Sequence, residues 1–259
     1  MEIGPGQGAI TRELAGEAGK LIALEVDREL AAKLSAMFPV EASDAPIGGK
    51  TGGVRIENVD VLGFDFAAAA AEAGGRLMVA GNLPYYITSP ILLKLAENSA
   101  ALDRAVLMVQ REVADRVVAR PGSRDYGLLS VTVQLHGPVE PLFTLPPGAF
   151  SPPPKVHSTV FRWNFAPRFE ELDVDRTSFQ GFLRQVFALK RKTLVNNLRA
   201  AGFSAELIST ALIASGIDTK VRAEALPVEA LAGLWRSLKN EGATPREKWL
   251  RTGSEFSNQ

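Results

Sequence analysis

Short apolar runs alternate with helical patterns over the first part of the chain. Four of these runs have the length and the continuous apolar character of strands that are covered on both faces of a parallel sheet. They lie at residues 21–25 (LIALE), 54–57 (VRIE), 77–81 (LMVAG) and 105–109 (AVLMV). Helix-like stretches lie before and between them, at residues 10–18, 28–38, 64–73 and 90–98. This alternation predicts an α/β fold in which helices cover both faces of the sheet.

The later part of the chain has a different pattern. Two more strands are predicted at residues 128–135 and 138–145, and another over 155–165. From residue 176 apolar positions recur at helical spacing, which predicts helices near residues 194–201, 205–214 and 227–240. We therefore predict an α/β domain over residues 1–165, a small helical domain over 176–245 and a tail over 246–259. The Gly- and Pro-rich segment at 44–53 is expected to form a surface loop.

Basic residues are concentrated in the second part of the chain. The whole sequence has 29 basic and 29 acidic residues and no net charge, but residues 176–251 contain 13 Lys and Arg against 6 Asp and Glu. Such a local excess predicts contact with phosphates, although scattered Lys and Arg are also usual on a solvated helix face. The candidate phosphate contacts are Arg184, Lys190, Arg191, Lys192, Arg199 and Arg222.

Composition excludes several kinds of chemistry. The chain has no cysteine, and its only histidines are His136 and His157. Disulfides, zinc–thiolate sites, iron–sulfur clusters and a cysteine nucleophile are therefore excluded, and no metal site is expected. No apolar run approaches the ~20 residues that span a bilayer, and the N-terminus lacks the pattern of a signal peptide. We therefore expect a soluble cytoplasmic protein.

Alternate glycines occur near the N-terminus, at Gly4, Gly6 and Gly8, immediately before a helical pattern. Glycine lets the backbone turn sharply from strand to helix and approach a ligand closely, although an ordinary turn has the same composition. Glu25 ends the next predicted strand, 21 residues after Gly4. An acid at this position is placed to accept both hydroxyls of a ribose.

The spacing of the glycines bears on the identity of the cofactor. The loop reads E-x-G-x-G-x-G rather than G-x-G-x-x-G, and Pro5 removes one backbone N–H, which makes a poor cradle for a pyrophosphate. A nucleoside with an amino-acid tail suits it better, so we predict S-adenosylmethionine rather than NAD. Asp60, which follows the third predicted strand, is a candidate acceptor for the adenine amino group. A turn or cap residue is the alternative role of Asp60.

The tetrapeptide Asn82-Leu83-Pro84-Tyr85 directly follows the predicted strand at 77–81. Strands of such a sheet open into one ligand crevice at their carboxyl ends, so this tetrapeptide and the glycine loop should meet. Methylation of an adenine amine needs acceptors for its hydrogens, and the Asn82 side chain with the carbonyl of Leu83 or Pro84 can supply them. The face of Tyr85 can stack on the base and stabilise the charge that grows on its nitrogen. An Asn–Pro turn with a core tyrosine is the alternative.

Six segments form a larger set of motifs. They read EIGPGQGAIT at 2–11, NLPYYITSP at 82–90, MVQREVADRVVARPGSRDYGLLSV at 108–131, AFSPPPKVHSTVFR at 149–162, KRKTLVNNL at 190–198 and RAEAL at 222–226. This set resembles the ribosomal RNA small-subunit adenine dimethyltransferase family over nearly the whole chain. The resemblance implies a Rossmann-like methyltransferase sheet with a small C-terminal helical domain that binds RNA.

The resemblance also implies a reaction and a set of functional residues. It implies transfer of two methyl groups to each of two adjacent adenosines near the 3′ end of 16S rRNA, with the assembling 30S subunit as the partner. By motif position, Gly4, Glu25, Asp60 and Asn82 would contact the cofactor or the target amine. Phe150 would stack on the target base opposite Tyr85.

Only Met1, Glu2 and Ile3 precede the glycine loop, so about half of a usual strand is expected to be absent. The family also carries an N-terminal helix and a segment before it that helps to cover the cofactor, on the order of 30 residues or more. We therefore expect an N-terminally truncated sheet, weak cofactor binding and a monomer. Three alternatives stay open at this point. They are a 23S rRNA adenine methyltransferase, a DNA adenine methyltransferase and a non-catalytic assembly factor of the 30S subunit.

Overall fold

The computed structural model describes residues 1–38 and 53–242. The chain forms two compact units, of which the first contains Met1–Asp115 and Gly137–Ala166. The second unit contains Arg116–His136 and the chain from Pro167 onward. The prediction kept residues 116–136 in the first domain, whereas the structure groups them with the helical unit. Most of the predicted loop at 44–53 and the predicted tail at 246–259 lie outside the described residues.

The first unit is built on a seven-stranded sheet. Its strands are β1 (Glu2–Ile3), β2 (Lys20–Glu25), β3 (Gly53–Asn58), β4 (Leu77–Asn82), β5 (Leu102–Gln110), β6 (Val139–Leu145) and β7 (Ser158–Asn164). The order across the sheet is β3-β2-β1-β4-β5-β7-β6, and the first five strands are parallel. β7 runs antiparallel to both β5 and β6. The α/β prediction and the four predicted parallel strands are confirmed.

Each of the five parallel strands is followed in the chain by a helix. These helices are α1 (Ala9–Glu17), α2 (Arg28–Met37), α3 (Phe66–Ala73), α4 (Thr88–Glu97) and α5 (Arg111–Val117), which runs on into the second unit. The Asp27 side chain caps α2 by accepting from the backbone N–H groups of Glu29 and Leu30. Fully buried side chains such as Phe66 of α3 and Phe161 and Trp163 of β7 contribute to the core of this unit.

The second unit consists of helices around an aromatic core. Besides the end of α5, it contains α6 (Leu128–Leu135), α7 (Arg176–Val186), α8 (Leu194–Ala201), α9 (Ala205–Ala214) and α10 (Val228–Asn240). Phe182 stacks on Phe179 at 6.0 Å between ring centroids and on Trp235 at 5.0 Å. No helix in the described part of the chain is long and apolar enough to cross a membrane.

The predicted strand at residues 128–135 is wrong, because this segment is the helix α6. Its apolar residues alternate with polar ones, which is the pattern of a strand. Even its polar members are engaged: buried Ser130 donates to the carbonyl of Arg116 at 2.6 Å, and Gln134 donates to the carbonyls of Val117 and Ala119. A helix that is covered by protein on most sides needs no polar face. Its sequence therefore does not show the 3.6-residue spacing of apolar positions that identifies a surface helix.

Candidate active site

The candidate site lies where three neighbouring parallel strands end. In the sheet, Ile3 of β1 pairs with Leu24 of β2 on one side and with Gly81 of β4 on the other. The next residues along these three strands are Gly4, Glu25 and Asn82. The structure therefore brings together the glycine loop, the predicted ribose acceptor and the start of the Asn-Leu-Pro-Tyr turn.

The glycine loop has the backbone conformation that its composition predicts. Gly4, Gly6 and Gly8 all have positive φ angles, of 67°, 57° and 82°. A Cβ on Gly4 would lie 3.7 Å from the carbonyl oxygen of Asn82 and 4.0 Å from Cδ of Pro84, so the loop runs directly along the Asn-Leu-Pro-Tyr turn. A Cβ on Gly6 would meet no protein atom within 4 Å. The loop is thus packed on one side and open at its middle glycine.

Glu25 connects the end of β2 to the glycine loop. Its side chain is buried, with 6% of the residue exposed. One carboxylate oxygen accepts from the N–H of Gly6 at 3.1 Å, and the other accepts from the N–H of Asp27 at 2.9 Å. A carboxylate has about four acceptor positions, so two remain for the hydroxyls of a ligand. The sequence predicted Glu25 as a ligand contact but gave no sign that it also holds the loop.

Asp60 follows β3, which is parallel to β2 and therefore ends at the same end of the sheet. It is exposed, and its Oδ1 accepts from the N–H of Leu62 at 2.9 Å, which caps the short 3-10 turn at Val61–Gly63. The alternative role of Asp60 as a cap is therefore present in the structure. Because its carboxylate has further acceptor positions, capping and ligand binding are compatible.

The Asn-Leu-Pro-Tyr turn is held by both of its middle residues. Leu83 is buried and donates its N–H to the carbonyl of Met108 in β5 at 3.0 Å. The Pro84 carbonyl accepts from the N–H of Ile87 at 3.2 Å and from Oγ1 of Thr88 at 2.9 Å. Both lone pairs of the Pro84 oxygen are thereby used, whereas no described residue donates to the Leu83 carbonyl.

The two aromatic residues of the predicted site lie on different segments. Tyr85 is half-buried, and its hydroxyl is hydrogen-bonded to Oγ of Ser158 at 2.9 Å. Ser158 is fully buried at the start of β7. Phe150 lies half-buried in the connection between β6 and β7. The sequence did not single out Ser158, because nothing local marks a serine that meets a tyrosine 73 residues earlier.

Glu2 is a second residue that the sequence prediction missed. It lies in β1 between Ala23 and Ala80, and only 1% of it is exposed. Its Oε2 atom is buried and has no hydrogen-bond partner among the described residues. Burial raises the pKa of the Glu2 carboxyl, and the nearby Glu25 carboxylate adds to that shift. The signal was available, since an acidic residue stands two positions before Gly4 in an otherwise apolar strand.

The predicted phosphate contacts lie in the helical unit. Lys190, Arg191 and Lys192 are exposed in the turn between α7 and α8. Arg199 and Arg222 are also exposed, whereas Arg184 in α7 is half-buried. No three acidic or histidine side chains come together as a metal site within the described ranges.

Comparison with known proteins identifies a family. A family model described as ribosomal RNA adenine dimethylase matches residues 1–240. Ribosomal RNA small subunit methyltransferase A of Acidobacterium capsulatum is 57% identical over 240 residues, which cover 93% of this chain and 81% of that protein. The protein of the same name from Koribacter versatilis is 46% identical over 250 residues, covering 92% and 84%.

Two solved structures share the fold. A dimethyladenosine transferase from Plasmodium falciparum superposes with a TM-score of 0.73 at 23% identity, over 93% of this chain and 90% of that one. The 23S rRNA methyltransferase ErmE superposes with a TM-score of 0.63 at 22% identity, over 92% and 89%.

Proposed function

Because the chain belongs to the ribosomal RNA adenine dimethylase family, we propose that it methylates two adjacent adenosines near the 3′ end of 16S rRNA in the assembling 30S subunit. S-adenosylmethionine is the methyl donor, and each target amine receives two methyl groups. One observation carries this proposal: the glycine loop lies against the Asn-Leu-Pro-Tyr turn, with a Cβ on Gly4 placed 3.7 Å from the Asn82 carbonyl. A donor held by the loop would therefore be next to an amine held by the turn.

The residues at the strand ends suit S-adenosylmethionine, which supplies an electrophilic methyl group with its own leaving group. The left-handed glycines leave open space at Gly6 for a ligand to approach the backbone. Glu25 has two acceptor positions for the ribose hydroxyls, and Asp60 is exposed to accept from the adenine amino group. Gly4 and Gly8 complete the loop on either side.

The target amine is held by two acceptors. The Asn82 side chain is exposed at the end of β4, so its oxygen can accept one N–H of the amine. The Leu83 carbonyl accepts the other, because the Pro84 carbonyl already accepts from Ile87 and Thr88. These two bonds turn the nitrogen lone pair towards the methyl group. Positioning and electrostatic stabilisation then suffice, and no general base is needed before the methyl moves.

The target base is held by aromatic faces and the rest of the RNA by charge. Tyr85, anchored through Ser158, stacks on the base from one side and Phe150 from the other. The Tyr85 face also stabilises the positive charge that develops on the nitrogen. The basic residues of the helical unit bind RNA phosphates without reading sequence. They are Arg184, Lys190, Arg191, Lys192, Arg199 and Arg222. Because the substrate is ribosomal, the enzyme acts in the cytoplasm.

A methyl-transfer assay on under-methylated 30S subunits tests this proposal. We expect the wild-type chain to label 30S subunits and not 50S subunits. The Asn82→Ala variant should lose about 100-fold in rate, which is the usual scale for removing one preorganised polar group at a reacting centre. Asn240→Ala, at an exposed position at the end of α10, is the matched control and should keep the wild-type rate.

Each other result has a definite meaning. An Asn82→Ala variant with the wild-type rate would refute the assignment of the turn to the target amine. Labelling of 50S subunits instead of 30S would replace the proposed substrate with 23S rRNA. Tight 30S binding by the wild-type chain without any transfer would identify an assembly factor rather than an enzyme.

A further inference from the structure

A buried asparagine in the helical unit holds the turn that carries the three consecutive basic residues. Asn197 lies in α8 and is 2% exposed. Its Oδ1 accepts from the N–H of Leu189 at 2.8 Å, and its Nδ2 donates to the carbonyls of Leu189 and Thr193, at 3.3 and 3.4 Å. One side chain thus joins the residue that begins the turn to the residue that follows it.

The turn itself spans Leu189–Lys192 and contains an unusual backbone conformation. The N–H of Lys192 donates to the carbonyl of Leu189 at 3.3 Å, which closes a four-residue turn. Arg191, at the third position, has a φ of +65°. That position of such a turn normally takes glycine or asparagine, because a side chain with positive φ is strained. Strain of this kind persists only where the surrounding structure enforces it, and here the Asn197 amide supplies the restraint.

No ion pair in the described part of the chain explains why these three basic side chains are held in one turn. Lys190, Arg191 and Lys192 are exposed, and none of them forms an ion pair with a described residue. Three neighbouring positive charges repel one another, so fixing them in one turn is unfavourable unless an anion binds there. A rigid arrangement of cations is suited to the phosphates of an RNA backbone.

We propose that Asn197 is a positioning residue that preorganises the Leu189–Lys192 turn as an RNA phosphate-binding element. The inference rests on the proposed function, because that function supplies the RNA. Asn197 is buried and does not contact the RNA; it fixes the backbone from which Lys190, Arg191 and Lys192 reach the phosphates. Preorganisation lowers the cost of ordering these long side chains on binding.

The first test compares two neighbouring asparagines. Asn197→Ala removes the amide, whereas Asn196→Ala is the matched control, because Asn196 is exposed in the same helix. We expect Asn197→Ala to weaken binding of under-methylated 30S subunits about fivefold to tenfold. The slope of log Kd against log salt concentration should become smaller by about 1, which corresponds to one phosphate contact. Asn196→Ala should match the wild type in both quantities.

The second test probes the backbone at an exposed position and does not depend on a buried substitution. Arg191→Gly and Arg191→Val remove the same charge, but only glycine adopts a φ near +65° without strain, and a β-branched residue is especially disfavoured there. If turn geometry matters, Arg191→Val binds 30S subunits more weakly than Arg191→Gly. If only charge matters, the two variants bind equally.

The outcomes separate this inference from the proposed function. Equal binding by the two Arg191 variants overturns the positioning role, as does an Asn197→Ala variant that keeps wild-type affinity and salt slope with only a lower melting temperature. Should Asn197→Ala fail to fold, the Arg191 pair decides alone. Failure of the wild-type chain itself to bind or methylate 30S subunits would count against the proposed function instead.

Discussion

The hydrogen bond between Tyr85 and Ser158 should have separable effects on stability and on catalysis. Tyr85→Phe keeps the aromatic ring but leaves Oγ of the fully buried Ser158 without its partner. Ser158→Ala removes the buried hydroxyl and leaves the tyrosine hydroxyl at a half-buried position, where water can compensate. The double variant replaces both partners by apolar groups. The three variants therefore differ in how many polar atoms they leave buried and unpaired.

The magnitudes follow from the burial of each atom. Leaving a buried hydroxyl unsatisfied costs about 1–3 kcal/mol, so Tyr85→Phe should be the least stable of the three. Ser158→Ala should cost about 0.5–1.5 kcal/mol, the net value of an ordinary hydrogen bond. Replacing both partners is close to neutral, so the double variant should be more stable than Tyr85→Phe, with a non-additive coupling of about 1 kcal/mol or more.

Catalysis should not recover in the double variant. The bond aims the Tyr85 ring from a rigid strand, and an aromatic face that is free to turn stacks less well on the base. All three variants should lose about tenfold or more in kcat/KM for 30S subunits, since misplacement by about 1 Å can cost up to 100-fold. Urea unfolding measures the stability and methyl transfer measures the rate. Additive stability losses, or a double variant with wild-type kcat/KM, would refute the reasoning.

Two further predictions concern stability. Burial lowers the pKa of His136 to about 4 in the folded chain, whereas an unfolded chain has the ordinary histidine pKa of about 6.5. Between these two pH values the unfolded chain binds more protons than the folded chain. The free energy of unfolding should therefore fall as the pH decreases through this range, by up to about 3 kcal/mol. Urea midpoints from pH 7 to 4 test this; His136→Gln should flatten the profile, and an equal flattening by exposed His157→Gln would contradict it. Gly137 has a φ of +139°, and a Cβ there would lie within 1.9 Å of the Asn164 carbonyl, so Gly137→Ala should cost about 3 kcal/mol. Gly148→Ala meets no atom within 4 Å and is the control; equal melting temperatures for the two variants would count against the clash.

Structure could be predicted from the sequence where the residues of a short segment determine its local conformation. The run at 21–25 could be placed in a strand because a strand covered on both faces is apolar throughout, and Glu25 followed from its position at the end of that strand. The glycine loop could be placed because only glycine commonly adopts positive φ angles at several positions of one short segment. These features depend on neighbours in the chain, so a single sequence contains their signal.

The sequence was uninformative where structure depends on a distant partner. Ser158 and Tyr85 are 73 residues apart, and the serine has no local feature that distinguishes it from others in the chain. The sequence shows an acidic residue two positions before Gly4 but not that this residue is buried, because the burial of Glu2 depends on β2 and β4 lying on both sides of β1. Asn197 lies in the KRKTLVNNL motif, whose positive charges are visible in the sequence, but the hydrogen bonds from its amide to Leu189 appear only once the turn before α8 is folded.

The grouping of residues 116–136 with the helical unit also depends on distant partners. The predicted first domain includes these residues because the alternation of apolar and polar positions in α6 predicts another strand of the sheet. In the structure, Val131 and Leu135 of α6 are fully buried in the same core as Phe182 and Trp235 of α7 and α10. The helical unit is therefore assembled from two stretches of chain, with a hairpin of the sheet, β6 and β7, lying between them in sequence. A cut between residues 165 and 176, where the prediction separates the two domains, would remove the part of the core that α6 contributes, and with it support for α7 and for the basic turn that follows α7.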